Sequence, residues 1–284
     1  MQIGAVREIW RYPVKSMGGE TLARTAVEER GLPGDRIWAV RDEVRGGIRG
    51  AKKIAPLMGC KARIIDADGA GVPEITLPDG DTFFADDEGA AARLAAALGQ
   101  PVTLWPLVPA DQLDHYRRGR PTHDDVLTEL RSIFALDPGE SLPNLSAFPR
   151  ELLQYESPPG SYFDAYPILL LTDATLARLQ AACPSSRVDV RRFRPNFVIA
   201  TPESLDGYAE PGWAGRRIRI GRALLEATVP CPRCVMITRG FDDLPEDPAL
   251  MRAVVREAGH EIGIYARVIE PGLVTLGDTA DLVD

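Results

Sequence analysis

Histidine and cysteine are scarce in this chain, with three of the first and four of the second in 284 residues. His115, His123 and His260 stand too far apart for ligand spacing, so a histidine metal site is not expected. Four cysteines are too few for a disulfide scaffold, which points to a reducing compartment. No stretch approaches the roughly 18 apolar residues of a membrane span. The N-terminus, from Met1 to Glu8, carries charge where a secretory signal needs an apolar run. The expectation is a cytoplasmic protein with no membrane partner. Positive charge is also short: 33 Lys and Arg against 41 Asp and Glu leave a net charge of -8, which argues against nucleic acid as a partner. Three nucleotide and nucleophile motifs are missing. Gly31-Leu32-Pro33-Gly34 lacks the Gly-Lys-Ser/Thr ending of a phosphate loop, no Gly-x-Gly-x-x-Gly follows a strand, and Ser16 and Ser132 sit in no nucleophile elbow.

What is present reads as short strands separated by glycine and proline turns. Residues 4–13, 21–28 and 37–40 alternate as strands, with turns at Gly18-Gly19 and Gly31-Leu32-Pro33-Gly34. Residues 45–53 are glycine-rich and basic and read as a mobile loop. Strands follow at 62–66 and 74–77, then a helix over 86–98 with acidic residues at its start and Gly99 as its stop, then a strand at 102–107. From 109 to 159 the chain is loop-rich, with one short helix within 122–134, and reads as a domain junction or lid. Strands are expected at 168–172, 196–200, 218–220, 224–228, 263–268 and 273–276, and helices at 174–182, capped by Thr172 or Asp173, and at 248–258. The fold class is α+β, mostly β, with a small N-terminal barrel-like domain over 1–110 and a second barrel domain with a few flanking helices over 111–284.

The chain's chemistry concentrates in Thr228-Val229-Pro230-Cys231-Pro232-Arg233-Cys234-Val235-Met236-Ile237-Thr238. Two cysteines lie two residues apart with an arginine between them. The β-branched flanks predict that residues 235–238 continue as a strand, which argues against a thioredoxin-type dithiol at a helix start. Three readings stay open: half of a structural zinc site, a buried inert pair, or one thiolate acting as a soft ligand for a metal held mainly by something else. A second feature is a set of basic or hydrogen-bonding residues at junctions of strand and loop: Lys15-Ser16, Asp35-Arg36, Thr172-Asp173 and Arg194-Pro195-Asn196. Lysine, serine and arginine together are the donors a phosphate needs; singly, each arginine reads equally as a solvated surface charge.

Five pieces in order carry a resemblance: Tyr12-Pro13-Val14-Lys15-Ser16, Gly31-Leu32-Pro33-Gly34-Asp35-Arg36, Leu171-Thr172-Asp173-Ala174, Arg192-Phe193-Arg194-Pro195-Asn196 and Cys231-Pro232-Arg233-Cys234. Over nearly its whole length the chain resembles MOSC-domain proteins with a MOSC N-terminal barrel in front, the mitochondrial amidoxime-reducing component and its bacterial relatives among them. The resemblance implies a molybdenum cofactor (molybdenum-molybdopterin), with Cys234 as the metal ligand and catalytic residue. It further implies that Lys15, Ser16, Arg36 and Arg194 hold the pterin and its phosphate, that Thr172, Asp173 and Asn196 line the site, and that Arg233 keeps the thiolate ionised or shapes the pocket mouth. The implied reaction is two-electron removal of oxygen from a small N-hydroxylated substrate, with electrons from a separate donor protein such as a ferredoxin, a flavoprotein or a cytochrome b5-like protein. Some bacterial relatives carry a fused ferredoxin domain, and the mitochondrial ones a membrane anchor; neither a fused iron–sulfur cluster nor an anchor is expected here. The alternatives are a cofactor carrier or persulfide-handling protein without reductase activity, and a degenerate binding protein without cofactor.

Overall fold

The computed structural model describes every residue except Ala67, Asp206 and Asp284. Strand β1 (Gln2–Arg11) buries Ile3, Val6 and Ile9. That spacing is three, not the two of a regular strand, and register shifts at Gln2/Gly4 and Val6/Glu8 supply the extra residues. Strands β2 (Glu20–Leu22) and β3 (Arg24–Val27) replace the single strand expected over 21–28. The chain breaks at Ala23 because β2 pairs with β1 whereas β3 pairs with a strand near the C-terminus.

The N-terminal part continues with β4 (Trp38–Asp42), β5 (Ile48–Arg49), β6 (Lys61–Arg63), β7 (Glu74–Thr76), β8 (Thr82–Phe84), helix α1 (Ala90–Leu98) and β9 (Val102–Pro106). Two three-stranded sheets result, in the orders β5-β4-β9 and β6-β7-β8. They enclose a core of Val14, Met17, Val40, Leu57, Ile75 and Leu94. Helix α1 presents Ala90, Leu94 and Leu98 to that core at a spacing of four, and Gly99 ends it in the left-handed conformation. It starts at Ala90, not at residue 86, because Asp87 accepts the Phe84 amide in the preceding turn. The basic stretch 45–53 is not the mobile loop expected. It contains β5, buries Ile48, Arg49 and Ala51, and is tied down where Arg45 donates to the Pro121 carbonyl at 2.7 Å and Arg49 to that of Arg120.

The second half holds α2 (Leu113–Tyr116), α3 (Val126–Phe134), β10 (Ile168–Thr172), α4 (Asp173–Ala182), α5 (Val190–Phe193), β11 (Phe197–Ala200), β12 (Arg217–Ile220), β13 (Ala223–Pro232), α6 (Pro248–Ala258), β14 (Glu261–Glu270), β15 (Gly272–Thr275) and β16 (Thr279–Val283). Seven strands close a barrel in the order β11-β10-β14-β13-β12-β16-β1, with β1 returning to β11. The chain's first strand therefore completes a barrel built mainly from its last third. Closure brings β1 so near β11 that a side-chain carbon on Gly4 would lie 2.1 Å from the Ala200 carbonyl oxygen. The β10–β11 pair is parallel and is bridged by α4 and α5; the other barrel pairs are antiparallel. The barrel core gathers Ile3, Ile168, Phe197, Ile218, Leu225 and Ile264. The architecture is α+β and mostly β, with the closed barrel at its centre; the final strand β16 carries no signal among the expectations above.

Around the cysteines the structure departs from the sequence expectation. Strand β13 runs through Cys231 and stops at Pro232, and Val235–Thr238 forms a 3₁₀ turn, not a strand. The turn is favoured because Met236 enters the N-terminal core while Ile237 enters a third core under α4 and α6. Fully buried Arg192 secures it by donating to the carbonyls of Ile237 and Arg239 at 3.0 and 2.8 Å. No described helix is long and apolar enough to cross a membrane.

Candidate functional site

A cavity of about 800 Å³ lies between the N-terminal sheets and the barrel. Lys15, Ser16, Arg36, Arg194, Asn196, Arg233 and Cys234 all line it, although they span more than 200 residues of sequence. Charge is segregated there: ten lysine and arginine residues line the cavity against four aspartate and glutamate, in a chain of net charge -8. Fields of one sign inside a low-dielectric cleft concentrate ligands of the other sign.

Backbone strain marks the same place. Ser16, Arg36 and Arg194 have φ of 69°, 51° and 58°, three of the seven described non-glycine residues in the left-handed region. Such conformations cost about 1–3 kcal/mol each and persist where surrounding structure enforces them. The enforcement is visible. Asp35, buried, accepts the Tyr12 amide at 2.7 Å, pairs with Arg36 and accepts from the Asn196 side chain at 3.2 Å. Asn196 in turn accepts the Leu169 amide at 3.1 Å and donates to the Trp10 carbonyl at 3.3 Å. Asn196 thus works by joining β1, β10 and the Asp35-Arg36 turn. Gly50 contributes by having no side chain, since a carbon there would lie 2.5 Å from the Ser16 hydroxyl.

The two arginines converge on one ring. The Arg194 and Arg36 guanidinium carbons lie 4.2 and 5.0 Å from the centroid of Tyr12. Arg194 donates to the Met17 carbonyl through Nη1, while its Nη2 is buried without a partner. Burial, and then the charge of Arg36, push the Arg194 guanidinium down to about 10. Arg36 moves the other way, above its ordinary value: burial is the largest single effect and lowers it, but Asp35, Tyr12 and Asp164 together outweigh burial. An unpartnered donor on a buried cation that repels its neighbour is the environment an anion relieves.

Two further cations carry a shared carboxylate. Lys15 Nζ donates to the Tyr162 carbonyl and to Asp164 Oδ1, both at 2.8 Å, and Lys52 Nζ lies 3.4 Å from the same oxygen. Burial lowers Lys15. Lys52 is held above its ordinary range, against the effect of burial, by Asp164 and by Cys234. Asp164 is held well below the usual carboxylate range by Lys15 and Lys52, again against burial. Sequence reasoning missed both Lys52 and Asp164. A basic glycine-rich stretch was the available signal for the first; nothing local distinguishes the second from any loop aspartate.

The cysteines occupy different environments. Cys231 is buried at the end of β13, where Arg233 Nη1 donates to its sulfur at 2.9 Å and Nη2 donates to the Phe193 carbonyl at 2.6 Å. Burial pushes the Cys231 thiol up, against the opposing pull of Arg233 and Tyr265. The guanidinium expected beside Cys234 is thus bonded to the other cysteine. Cys234 is half-buried at the start of the 3₁₀ turn and borders the cavity with Lys52. No cluster of three or more His, Cys, Asp or Glu able to hold a metal exists among the described residues. A metal at Cys234 would therefore bring most of its ligands with it.

Thr172 and Asp173 do not line the cavity. Thr172 is fully buried, caps α4 by accepting the Thr175 amide at 3.1 Å, and is held by Glu210. Asp173 accepts from the Thr201 amide and hydroxyl, both at 2.9 Å, and lies 3.4 Å from Arg7. Their observed contacts brace α4 against the barrel.

Comparisons with known proteins identify the two halves of the chain. The MOSC domain model matches residues 159–281, and that of the MOSC N-terminal beta barrel domain matches residues 3–96. The chain is a MOSC-domain protein with a MOSC N-terminal barrel domain in front. More particularly, it is homologous at modest identity to amidoxime-reducing components. It is 24% identical to mitochondrial amidoxime reducing component 2 of Bos taurus, over 98% of this chain and 82% of that one. It is 26% identical to mitochondrial amidoxime-reducing component 1 of Homo sapiens, over 84% of this chain and 66% of that one. Among solved structures, the YuaD protein from Bacillus subtilis matches at 12% identity with a TM-score of 0.43, covering 98% of this chain and 93% of that one.

Proposed function

We propose that this protein binds a molybdenum–pterin cofactor in the cavity and uses it to reduce small N-hydroxylated compounds. The observation that carries the reading is the pairing of one half-buried sulfur, Cys234, with a strained cationic floor that holds an unpartnered donor on Arg194. The donor set fits such a group: soft sulfur for the metal, hard cations for a phosphate. Arg36 and Arg194 would hold the phosphate, with the Ser16 hydroxyl and buried Lys15 lining the same cavity. Lys52 lines the same cavity as Cys234.

When bound, the cofactor supplies two-electron redox chemistry suited to removing oxygen from nitrogen. In the overall conversion the N–O bond breaks, two electrons and two protons are taken up, and the amine or amidine leaves with one water. The electrons come from a separate donor protein. The chain's own residues orient the cofactor and balance its charge: Asp35 and Asn196 set Arg36, Asp164 sets Lys15 and Lys52, and Arg192 sets the turn that presents Cys234. The reading also takes a cytoplasmic location, and a division of the chain near residue 110 to which β1 is the exception, because it completes the C-terminal barrel.

The test is metal and pterin analysis of protein purified from a host that makes the cofactor. Wild type and Cys231→Ser are expected to carry molybdenum near one per chain, and Cys234→Ser to lose both metal and reductase activity. Metal and pterin both absent from wild type would refute the reading, and loss confined to Cys231→Ser would move the ligand to Cys231.

A further inference from the structure

Between residues 117 and 154 the chain makes one long excursion and returns to the point it left. The two ends are tied together. The Arg118 amide donates to the Gln154 carbonyl and the Glu156 amide to the Tyr116 carbonyl, both at 3.0 Å, and Arg117 forms an isolated bridge with Tyr155. Tyr116 and Tyr155 flank this neck and are buried in one small core with Ala39 of β4 and Ile48 of β5. The neck is therefore fixed to the N-terminal sheets. Beyond the neck little is buried: of residues 117–153 only Phe134 and Pro143 are. Val126, Leu130 and Ile133 of α3 line the cavity, and none of them belongs to a described hydrophobic core. Residues 117–156 supply 18 of the 37 residues lining the cavity, Glu129 and Arg150 among them. About half of the cavity wall is thus carried by a segment with little buried surface of its own. Such segments open at a lower free energy than the fold as a whole.

The contacts that hold the excursion down are mainly polar and fall into three places. At the neck, the Arg120 amide donates to the Arg45 carbonyl at 2.9 Å. Gly119 lies so close there that a side-chain carbon on it would stand 1.6 Å from the Gly46 carbonyl oxygen. At the start of α3, Glu129 gathers the preceding turn by accepting the Thr122 and His123 amides at 3.3 and 3.1 Å, and Lys53 pairs with it from outside the excursion at 2.6 Å. At the end of α3, Arg252 of α6 donates to the Ala135 carbonyl and pairs with Glu140 and, at 3.0 Å, with Asp137. Ala135 has a φ of 49° at that point, a strained conformation for a residue with a side chain. Phe148 adds ring contacts with Tyr166 and Tyr265, at 6.5 and 6.2 Å between centroids. Two cations of the protein body, Lys53 and Arg252, therefore hold α3 at its two ends.

We infer that residues 119–153 are a lid hinged at the neck, that α3 swings off the cavity when its contacts with Lys53 and Arg252 break, and that this opening is the route by which the cofactor enters and leaves. The role in loading rests on the function proposed above; the motion does not. A ligand that fills the cavity contacts the underside of the lid only when the lid is down, so occupancy shifts the equilibrium toward the closed state.

The experiment is hydrogen–deuterium exchange with mass spectrometry on the whole chain. In metal-free wild type, peptides covering 126–135 are expected to exchange at least about tenfold faster than those from β10 and β14. Glu129→Gln keeps an acceptor for the two amides and drops the charge facing Lys53; Arg252→Met removes the other hold. Each is expected to speed exchange over 126–135 by about tenfold and to leave β10 and β14 unmoved. Leu127→Gln, at an exposed position of α3 outside the cavity lining, is expected to change neither. In molybdenum-loaded wild type the same peptides are expected to slow by at least about tenfold. Arg252 does not line the cavity, so the rate at which Arg252→Met loses molybdenum on dilution reports on the lid; it is expected to exceed that of wild type by about tenfold. Exchange over 126–135 as slow as in the barrel, no response to either substitution, or a response shared by the barrel or by Leu127→Gln overturns the lid. Faster exchange in Arg252→Met with molybdenum lost at the wild-type rate overturns the loading route and leaves the proposed reaction standing. Absence of molybdenum from wild type overturns the reaction, and exchange in the metal-free chain then decides the lid by itself.

Discussion

Replacing Arg194 with methionine tests whether the floor of the cavity is built for an anion or for the fold. Holding this guanidinium at about 10 places it roughly two to three powers of ten below its ordinary value. Each power of ten is about 1.4 kcal/mol, so the folded protein bears a cost on the order of 3 kcal/mol for keeping Arg194 charged. The sign follows from linkage. A base whose folded value is depressed destabilises the fold at all pH below that value, and the cost fades only as pH rises through about 10. Against it stand the bond to the Met17 carbonyl, worth about 1.5–3 kcal/mol as a charged hydrogen bond, and the contact with the Tyr12 ring, worth about 1–2 kcal/mol. The terms nearly cancel. Metal-free Arg194→Met is therefore expected to melt within roughly 4 °C of wild type at neutral pH, at about 2 °C per kcal/mol for a chain of this size. The anion response is expected to disappear. Inorganic pyrophosphate at 100 times its dissociation constant should stabilise wild type by about 2.7 kcal/mol, which is roughly 5 °C, and should leave the variant unmoved. A drop of about 10 °C in the metal-free variant together with an intact pyrophosphate response would show that Arg194 is a structural arginine and refute the reasoning.

Two further predictions address carboxylates. Asp164→Asn leaves Lys15 and Lys52 without their shared counter-ion; because the Asp164 side chain is 40% exposed to the cavity, the expected loss is about 1–2 kcal/mol, not the roughly 3–5 of a sealed pair. Asp164 is held below its ordinary range, so its contribution is present at neutral pH and lost as pH falls through its folded value; thermal melts should show wild type and variant separated at pH 7 and converging in strong acid. Glu210 has the opposite sign: burial raises it even though it accepts from Thr172 and Thr175, so the folded state binds its proton more tightly than the unfolded chain does. Stability conferred by that proton is lost as pH rises through the folded value, and Glu210→Gln should flatten the decline of melting temperature as pH rises above the ordinary glutamate range; an unchanged pH profile would count against the assignment.

Much of the fold could be read from local pattern. The cap at Thr172, the alanine-rich run ending at Gly99 and the proline-led helix α6 are signals in which neighbouring residues bury or cap one another. The candidate site was legible in part for a similar reason. Lys15, Ser16, Arg36 and Arg194 sit at strand–loop junctions, and seven of the nine residues singled out line one cavity. The misreadings share a cause. Residues 235–238 have the composition of a strand, yet Met236 and Ile237 are claimed by two different cores and Arg192 holds the intervening carbonyls in a tight turn. Residues 45–53 look mobile because the Arg45 and Arg49 side chains are secured only by distant groups, the carbonyls of Pro121 and Arg120, more than 60 residues away.

Residue types alone decided which chemistries this chain has at hand: few sulfurs, no histidine cluster, and cations and hydroxyls placed at the ends of strands. Whether those groups meet was decided by closure of the barrel, which carries β1 and the Lys15-Ser16 turn across to β11 and the Arg194 turn, and by packing that gave Arg233 to Cys231 and left Cys234 open to the cavity. Short-range order follows from spacing along the chain. Charge balance in a shared void depends on which distant loops the core draws together, and no local pattern carries that information.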